Sequence, residues 1–376
     1  MTQNKRSGEV WILGATGRIG STVTRRLFDR GISPVLVGRE SDRLRKTAAD
    51  LGVRVVVADT AERIAAEITR QRPAVVVNTI GNYAQTATTI ARACMPGGHY
   101  LDLAADLTAV PRLLNLHHEA AEAGSTLVTG SGFGVLATEA VVVKLCEGRP
   151  TPATVRVDAL SSVSAEAGVL GPAYAASVID ALTTGGRRYE DGRLVTARLG
   201  GDLQHLDLPD GQKVKSAGAP SAELLAAQRA SKALSVTVTT ALAPTSPAVR
   251  AVLPLVGKLL SVEPLRRFAI RRMARTKTKA GPRPRQHSWG HAVITWPDGT
   301  RREGWLRADD GMDYTASVAV EAATRLTRAE GNPGAYTPAA AFGADLATAA
   351  GGALSSTEAS PHGPKFLSMG ADPGAS

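Results

Sequence analysis

Short apolar runs and helical periodicities alternate along the first third of the chain. Val10 to Leu13 is wholly apolar, and glycines follow at 14, 17 and 20. A helical pattern leads from there to a second apolar run, Pro34 to Val37. Apolar runs of four or five residues bounded by turn residues predict buried strands, and apolar positions spaced by three and four predict helices. The alternation continues. Helices are expected over residues 42–51, 61–72, 85–94 and 109–123, with strands over 53–57, 74–78, 99–103 and 125–129. Pro73, the Pro96-Gly97-Gly98 turn and Gly124 supply helix stops. Strands alternating with helices predict a parallel, doubly wound α/β sheet. Right-handed crossovers put a ligand at the carboxyl ends of its strands.

The rhythm changes near Val135. A helix is expected over 136–147, a strand over 154–163 and a helix over 174–184. Asp191-Gly192, Asp210-Gly211 and Asp298-Gly299 read as hairpin turns. Residues 249–273 read as helical, with breaks near Pro254 and Pro264, and 288–307 as the clearest hairpin. A helix over 314–328 should return to the first sheet. The glycine, serine and proline content from Gly351 predicts a disordered tail. The expected fold is therefore a Rossmann-type doubly wound parallel sheet joined to an α+β domain with an antiparallel sheet. Residues 1–134, completed by 310–350, would bind a dinucleotide; 135–309 would form a substrate or dimerisation domain; and 351–376 would be the tail.

The glycine turn carries the chemistry. Gly14 permits the tight turn, Gly17 lets backbone N–H groups approach phosphate, and Gly20 lets the helix pack close to the strand. The positive end of that helix then faces a pyrophosphate. The spacing, GxxGxxG, varies from the commoner GxGxxG. An NAD site places a carboxylate about 20 residues further on, for the ribose 2′-OH. This chain has Gly38, Arg39 and Ser41 there, with Glu40 between them. A guanidinium suits a 2′-phosphate, so NADP(H) is expected. Arg39 could also be a solvated charge at a strand end. The expected cofactor contacts are Gly14, Thr16, Gly17, Arg18, Ile19 and Gly20 in the turn, and Gly38, Arg39 and Ser41 after the second strand. Asp59 and Thr60 follow the third strand, Asn78, Gly81 and Asn82 the fourth, and Gly132 and Phe133 the sixth.

A nicotinamide enzyme needs the acceptor atom held about 3 to 3.5 Å away, water excluded, and a proton donor or charge stabiliser. Three side chains at strand ends are candidates: Tyr83, Asp102 and Ser131. Each has a plainer reading as well: Tyr83 as loop packing, Asp102 as a cap and Ser131 as turn chemistry. His287 and His291 lie about 13 Å apart if extended, too far to share a metal; no metal site is expected.

Bulk properties narrow the class. A chain of 376 residues suggests two domains. No run of 18 apolar residues occurs, the first ten residues lack a signal-peptide core, and Cys94 and Cys146 form no CxxC pair. A cytoplasmic protein is expected. The net charge is +10, and nine basic residues with no acidic one lie between Arg266 and Arg285. That run fits an anionic substrate, an acidic carrier protein, nucleic acid or a solvated helix face. No recognition motif or stacking aromatics accompany it, so nucleic acid is not expected.

Several segments together resemble the saccharopine dehydrogenase-like reductases. They are ILGATGRIGSTVTRRL, VLVGRESDRL, the block from VVVNTIGNY to HYLDLAAD, AGSTLVTGSGFGVLATEA, and GMDYTASVAV through PAAAFG. The stand-alone members, including those acting in trans as enoyl reductases, are the nearer likeness. The resemblance implies an NADPH-dependent oxidoreductase reducing a polarised C=N or C=C bond of a small or carrier-bound metabolite, in secondary metabolism. The alternative is a non-catalytic NADP(H) sensor. The implied partner is a small-molecule or carrier-bound anionic substrate, with homodimerisation a further option and no membrane expected. Two departures stand out. The family often has proline where this chain has Asn82, and Cys-Gly-Phe-Asp where it has Ser131-Gly132-Phe133-Gly134.

Overall fold

A computed structural model describes residues 8–358 and 365–368. The first sheet draws on β1 (Val10–Leu13), β2 (Pro34–Gly38), β3 (Val55–Val57), β4 (Val75–Asn78), β5 (His99–Asp102) and β6 (Thr126–Val128). The helices between them are α1 (Arg18–Asp29), α2 (Ser41–Leu51), α3 (Ala61–Gln71), α4 (Tyr83–Cys94), α5 (Ala109–Leu114) and α6 (His117–Glu122). Then come α7 (Phe133–Cys146), β7 (Thr154–Leu160), β8 (Gly168–Val169), α8 (Pro172–Thr184), β9 (Gly186–Glu190), β10 (Arg193–Ala197), β11 (Gln204–Asp207), β12 (Lys213–Gly218), α9 (Glu223–Ser231) and β13 (Ser235–Thr240). The chain goes on through α10 (Pro247–Leu260), α11 (Glu263–Ala274), β14 (Lys277–Thr278), β15 (Ser288–Thr295) and β16 (Arg301–Ala308). It closes with α12 (Gly311–Thr327), β17 (Gly334–Tyr336), α13 (Pro338–Phe342), α14 (Asp345–Ala349), β18 (Ala353–Glu358) and β19 (Lys365–Ser368).

The first sheet runs β17-β6-β5-β4-β1-β2-β3, and each of its pairings is parallel. Strand order reverses between β1 and β4, so a crevice opens at their carboxyl ends. Both faces are covered, which is why these strands read as continuous apolar runs. The second sheet runs β10-β9-β13-β7-β15-β16-β18-β19.

Helix α7 joins the two. It is buried on every side, from Phe133 and Leu136 to Val142 and Leu145. A side chain at Gly290 would come within 2.7 Å of the Ala137 Cβ, so the glycine lets β15 lie directly against this helix. Helix α12 packs Ala316, Ala319 and Val320 into the first core and Tyr314 and Val318 into the second.

Four expectations need correction. The second sheet is mixed, because β7 and β13 run parallel. The helix expected over 109–123 is two, broken at Asn115 and Leu116. Pro254 does not stop α10; it lies exposed inside the helix, whereas the break near Pro264 is present and that proline sits in the first turn of α11, where its missing N–H costs nothing. The tail expected to be disordered from Gly351 contributes β18, which pairs with β16, and β19; residues 359–364 and 369–376 of that tail lie outside the described residues.

Candidate active site

The turn between β1 and α1 has the form the glycines require. Gly14 sits at φ +78 and donates its N–H to the Val37 carbonyl at 2.8 Å. A Cβ on Gly20 would lie 2.2 Å from the Gly14 carbonyl oxygen, so only glycine fits under this strand. Gly17 is the N-cap of α1 and no side chain caps the helix. Its first-turn amides are thus left to whatever binds there. Thr16 is half-buried beside them, and Ile19 packs its side chain on the first core. The Thr79 hydroxyl fixes the floor by donating to the Leu13 carbonyl at 2.7 Å.

Arg18 departs from expectation. Its guanidinium reaches away from the turn, to the Ser164 carbonyl at 3.2 Å and the Glu166 carboxylate at 2.8 Å. It braces the 161–170 segment, which is also held by Asp310. That carboxylate accepts from the Ser164 N–H at 2.9 Å and caps α12 through Met312 N–H at 2.8 Å.

At the end of β2, Gly38 leads into an exposed Arg39, and Ser41 opens α2. Glu40, which interrupts the basic pattern in the sequence, is shared by two arginines, Arg39 at 3.8 Å and Arg43 at 3.2 Å. Arg43 also donates to the Thr16 carbonyl at 3.3 Å, bringing its guanidinium to the glycine turn. Asp59 pairs with Arg63 at 3.0 Å, and the Thr60 hydroxyl caps α3 by accepting from Arg63 N–H. Both are engaged within their own loop.

The ends of β4, β5 and β6 are laced together by a buried network. Asp102 has no exposed surface. One of its oxygens accepts from Ala104 N–H at 3.0 Å, the Thr129 hydroxyl at 2.8 Å and Gly130 N–H at 3.2 Å; the other accepts from the Tyr100 hydroxyl at 3.0 Å. The Asn78 amide donates to the Tyr100 oxygen at 2.9 Å, and its own carbonyl accepts from Ile80 N–H. Burial pushes Asp102 up to about 6, against the pull of those donors. Asn78 and Asp102 are therefore occupied with the scaffold rather than free for a ligand. Tyr83 is half-buried and donates to the Asn78 carbonyl at 3.3 Å; desolvation, then the Asp102 charge, holds its hydroxyl well above the ordinary phenol range. Gly81 and Asn82 take left-handed conformations at φ +75 and +49 to turn the chain into α4.

Three buried side-chain oxygens at this edge have no hydrogen-bond partner. One is the Ser131 hydroxyl, whose backbone N–H is pinned to the Asp102 carbonyl at 2.8 Å. The others are an oxygen of Glu223, at the start of α9, and the Ser221 hydroxyl beside it. Glu223 is 6% exposed, and its other oxygen rests on Gly134, where a Cβ would lie 2.0 Å away. Ala222 N–H donates to the Ala105 carbonyl at 3.0 Å, so the start of α9 is tied to the loop after β5. Burial raises the Glu223 carboxyl, opposed by Ser221. Gly132 caps α7; Phe133 meets Tyr314 edge-on at 6.0 Å and donates its N–H to the Thr315 hydroxyl at 3.1 Å. Arg43, Thr79 and Glu223 are the residues sequence reasoning missed. Glu223 left one trace, the glycine at 134 where relatives carry an aspartate.

This geometry agrees with the comparisons. A family model described as the saccharopine dehydrogenase NADP binding domain matches residues 10–128. The apo saccharopine dehydrogenase (L-Glu forming) of Saccharomyces cerevisiae shares the fold of the whole chain: TM-score 0.56 at 13% identity, over 91% of this chain and 96% of that one. The serine dehydrogenase of Escherichia coli aligns over 32% of this chain and 80% of its own, at 18% identity and TM-score 0.27. No curated protein sequence matches the chain. The uncapped first turn of α1, the glycine floor and the paired arginines Arg39 and Arg43 fit NADP(H). Among the described residues, no helix is long and apolar enough to cross a membrane.

Proposed function

We propose that the protein is an NADPH-dependent reductase acting on a polarised C=N or C=C bond of a small or carrier-bound anionic metabolite, in secondary metabolism. Residues 1–134 with 310–350 bind the cofactor, and 135–309 supply the substrate side. The observation that carries this reading is one of placement. The uncapped start of α1 and two unpartnered buried side-chain oxygens, Ser131 and Glu223, lie along the carboxyl edge of one sheet. Backbone amides of Arg18 to Gly20 would hold the pyrophosphate, since the Gly17 N–H is taken by the Gly14 carbonyl at 2.9 Å, and Arg39 and Arg43 the 2′-phosphate. Bound NADPH supplies the hydride.

The chain supplies position and a proton. The Ser131 hydroxyl is free to orient the nicotinamide amide or the substrate. Glu223, its carboxyl raised by burial, is the proton donor to the atom beside the one that receives hydride; solvent then restores the proton. Asp102 acts through Asn78, Tyr100 and Thr129 and is a positioning residue. Tyr83 closes the same edge.

Single-turnover assays with NADPH and a panel of imine and enoyl acids test this. Glu223→Gln should lower turnover by roughly 100-fold or more, the scale of a lost general acid, while leaving NADPH affinity unchanged. Unaltered turnover in that variant removes Glu223 from the chemistry. Tight NADPH binding without oxidation by any acceptor favours a sensor.

A further inference from the structure

The stretch from Pro247 to Arg285 has eleven basic residues and one acidic, Glu263, so it alone carries the chain's whole net charge of +10. Its two helices also present an exposed apolar face. Helix α10 turns Leu253 and Gly257 inward; a Cβ on Gly257 would lie 2.4 Å from the Leu182 carbonyl, so the helix lies tightly on α8. Its opposite side carries Val252, Leu255 and Leu259, spaced by three and four and 52%, 72% and 56% exposed. Val262 in the joint and Leu265 and Phe268 on α11 continue the exposed series, Phe268 at 62%. Helix α11 buries no residue at all. It is anchored to α8 by Arg266, 2.5 Å from Asp180, while Arg267, Arg271, Arg272 and Arg275 are exposed.

Large apolar side chains in water beside arginines are the composition of a helix that lies in a membrane interface. We propose that α10 and α11 form a peripheral docking surface for an anionic lipid bilayer. The apolar ridge enters the boundary between headgroups and acyl chains, and the basic residues bind the headgroups. The charge argues against a second copy of the chain, since pairing would bring two faces of +10 together. The six exposed apolar side chains argue against a purely ionic contact with an acidic protein. The surface spans no membrane, and its apolar positions are interrupted by Pro254, Lys258 and the arginines.

Flotation of the full chain with vesicles tests the proposal. Binding is expected to phosphatidylcholine vesicles containing phosphatidylglycerol, at least tenfold above pure phosphatidylcholine. Leu255→Glu with Phe268→Glu, and separately Arg271→Glu with Arg272→Glu, should each reduce binding at least tenfold. Both variants should keep wild-type NADPH affinity, which controls for folding. Absence of flotation overturns the proposal. So does binding that survives Leu255→Glu with Phe268→Glu, which marks an ionic surface suited to an acidic protein. A dimer in ultracentrifugation that this same variant dissolves would assign the face to a second copy.

Discussion

Two buried polar assemblies, one in each sheet, are built in opposite ways. In the second sheet a chain of side chains runs from Ser216 through Thr239, Asp158 and His291 to Glu303. Ser216 and Thr239 meet at 2.6 Å, Thr239 donates to Asp158, His291 holds Asp158 at 2.6 Å and Glu303 at 2.9 Å, and Arg156 adds a further donor at 3.2 Å. His291 also stacks on Trp305 at 3.7 Å. The two carboxylates sit on opposite ring nitrogens, so they do not converge on one point. At the carboxyl edge of the first sheet, the inner layer around Asp102 is equally saturated, but the outer layer leaves Ser131, Glu223 and the first turn of α1 without partners. A saturated chain braces a fold, whereas buried groups left open on one edge are prepared for a ligand. Extreme burial of a titratable side chain therefore does not locate the site here; nor do missing partners alone, since Trp289 Nε1 in the second sheet lacks one too, but missing partners at the carboxyl ends of the parallel strands do.

The comparison breaks first at His291. His291→Ala should destabilise the protein by about 3 kcal/mol, because it takes the imidazole from the buried Asp158 and leaves it only Arg156 and Thr239, yet the folded fraction should keep its NADPH affinity. Urea unfolding and cofactor titration on one sample check this. Burial alone would lower the imidazole, but Asp158 and Glu303 outweigh it and hold His291 above its ordinary value. Its contribution is thus complete below the unfolded histidine range and is lost as pH rises through the raised value.

At the open edge, Arg39→Ala combined with Arg43→Ala should weaken NADPH by roughly 10- to 100-fold and leave NADH nearly unchanged, the scale of one or two lost bonds to a charged group. Equal losses for both cofactors would remove these residues from the 2′-phosphate.

The smallest effect concerns two saturated buried carboxyls, Asp102 in the layer beneath and Glu139 on α7, which accepts from the Thr337 hydroxyl and from Ala339 N–H at 2.9 Å. Asp102 is raised to about 6 and Glu139 to about 7, both chiefly by burial. Between the unfolded carboxylate range and these values the folded state binds more protons, so their ionisation lowers stability as pH rises from about 4 to 7. Asp102→Asn or Glu139→Gln should flatten that slope by at most about 1.4 kcal/mol per pH unit. A slope unchanged in both variants would show that these carboxyls ionise alike folded and unfolded.

The first sheet was legible because each element announces itself locally. Apolar runs such as Val75 to Val77, the glycine turn and the helix stops each determine structure within a few residues. The second sheet depends on contacts between distant residues. The parallel pairing of β13 with β7 brings Ser235 beside Thr154, and no local pattern predicts it. Helix α9 went unseen because nearly its whole length is buried, Glu223 to Ala227 included, which erases the amphipathic signal. The site follows the same division. Gly14, Gly20 and Arg39 could be read from spacing. Arg18 could not, because its partner Ser164 is 146 residues away, and neither could Glu223, which reaches Gly134 from the other sheet.

Titration of NADPH into the wild-type chain and into Gly20→Ala, followed by nicotinamide fluorescence, tests the central claim most directly. Saturable binding of one NADPH per chain is expected. Affinity should fall roughly 100-fold in Gly20→Ala, where the added methyl must push the Gly14 carbonyl and displace the turn. Absence of wild-type binding at millimolar NADPH, or equal affinity in the two proteins, would contradict that claim.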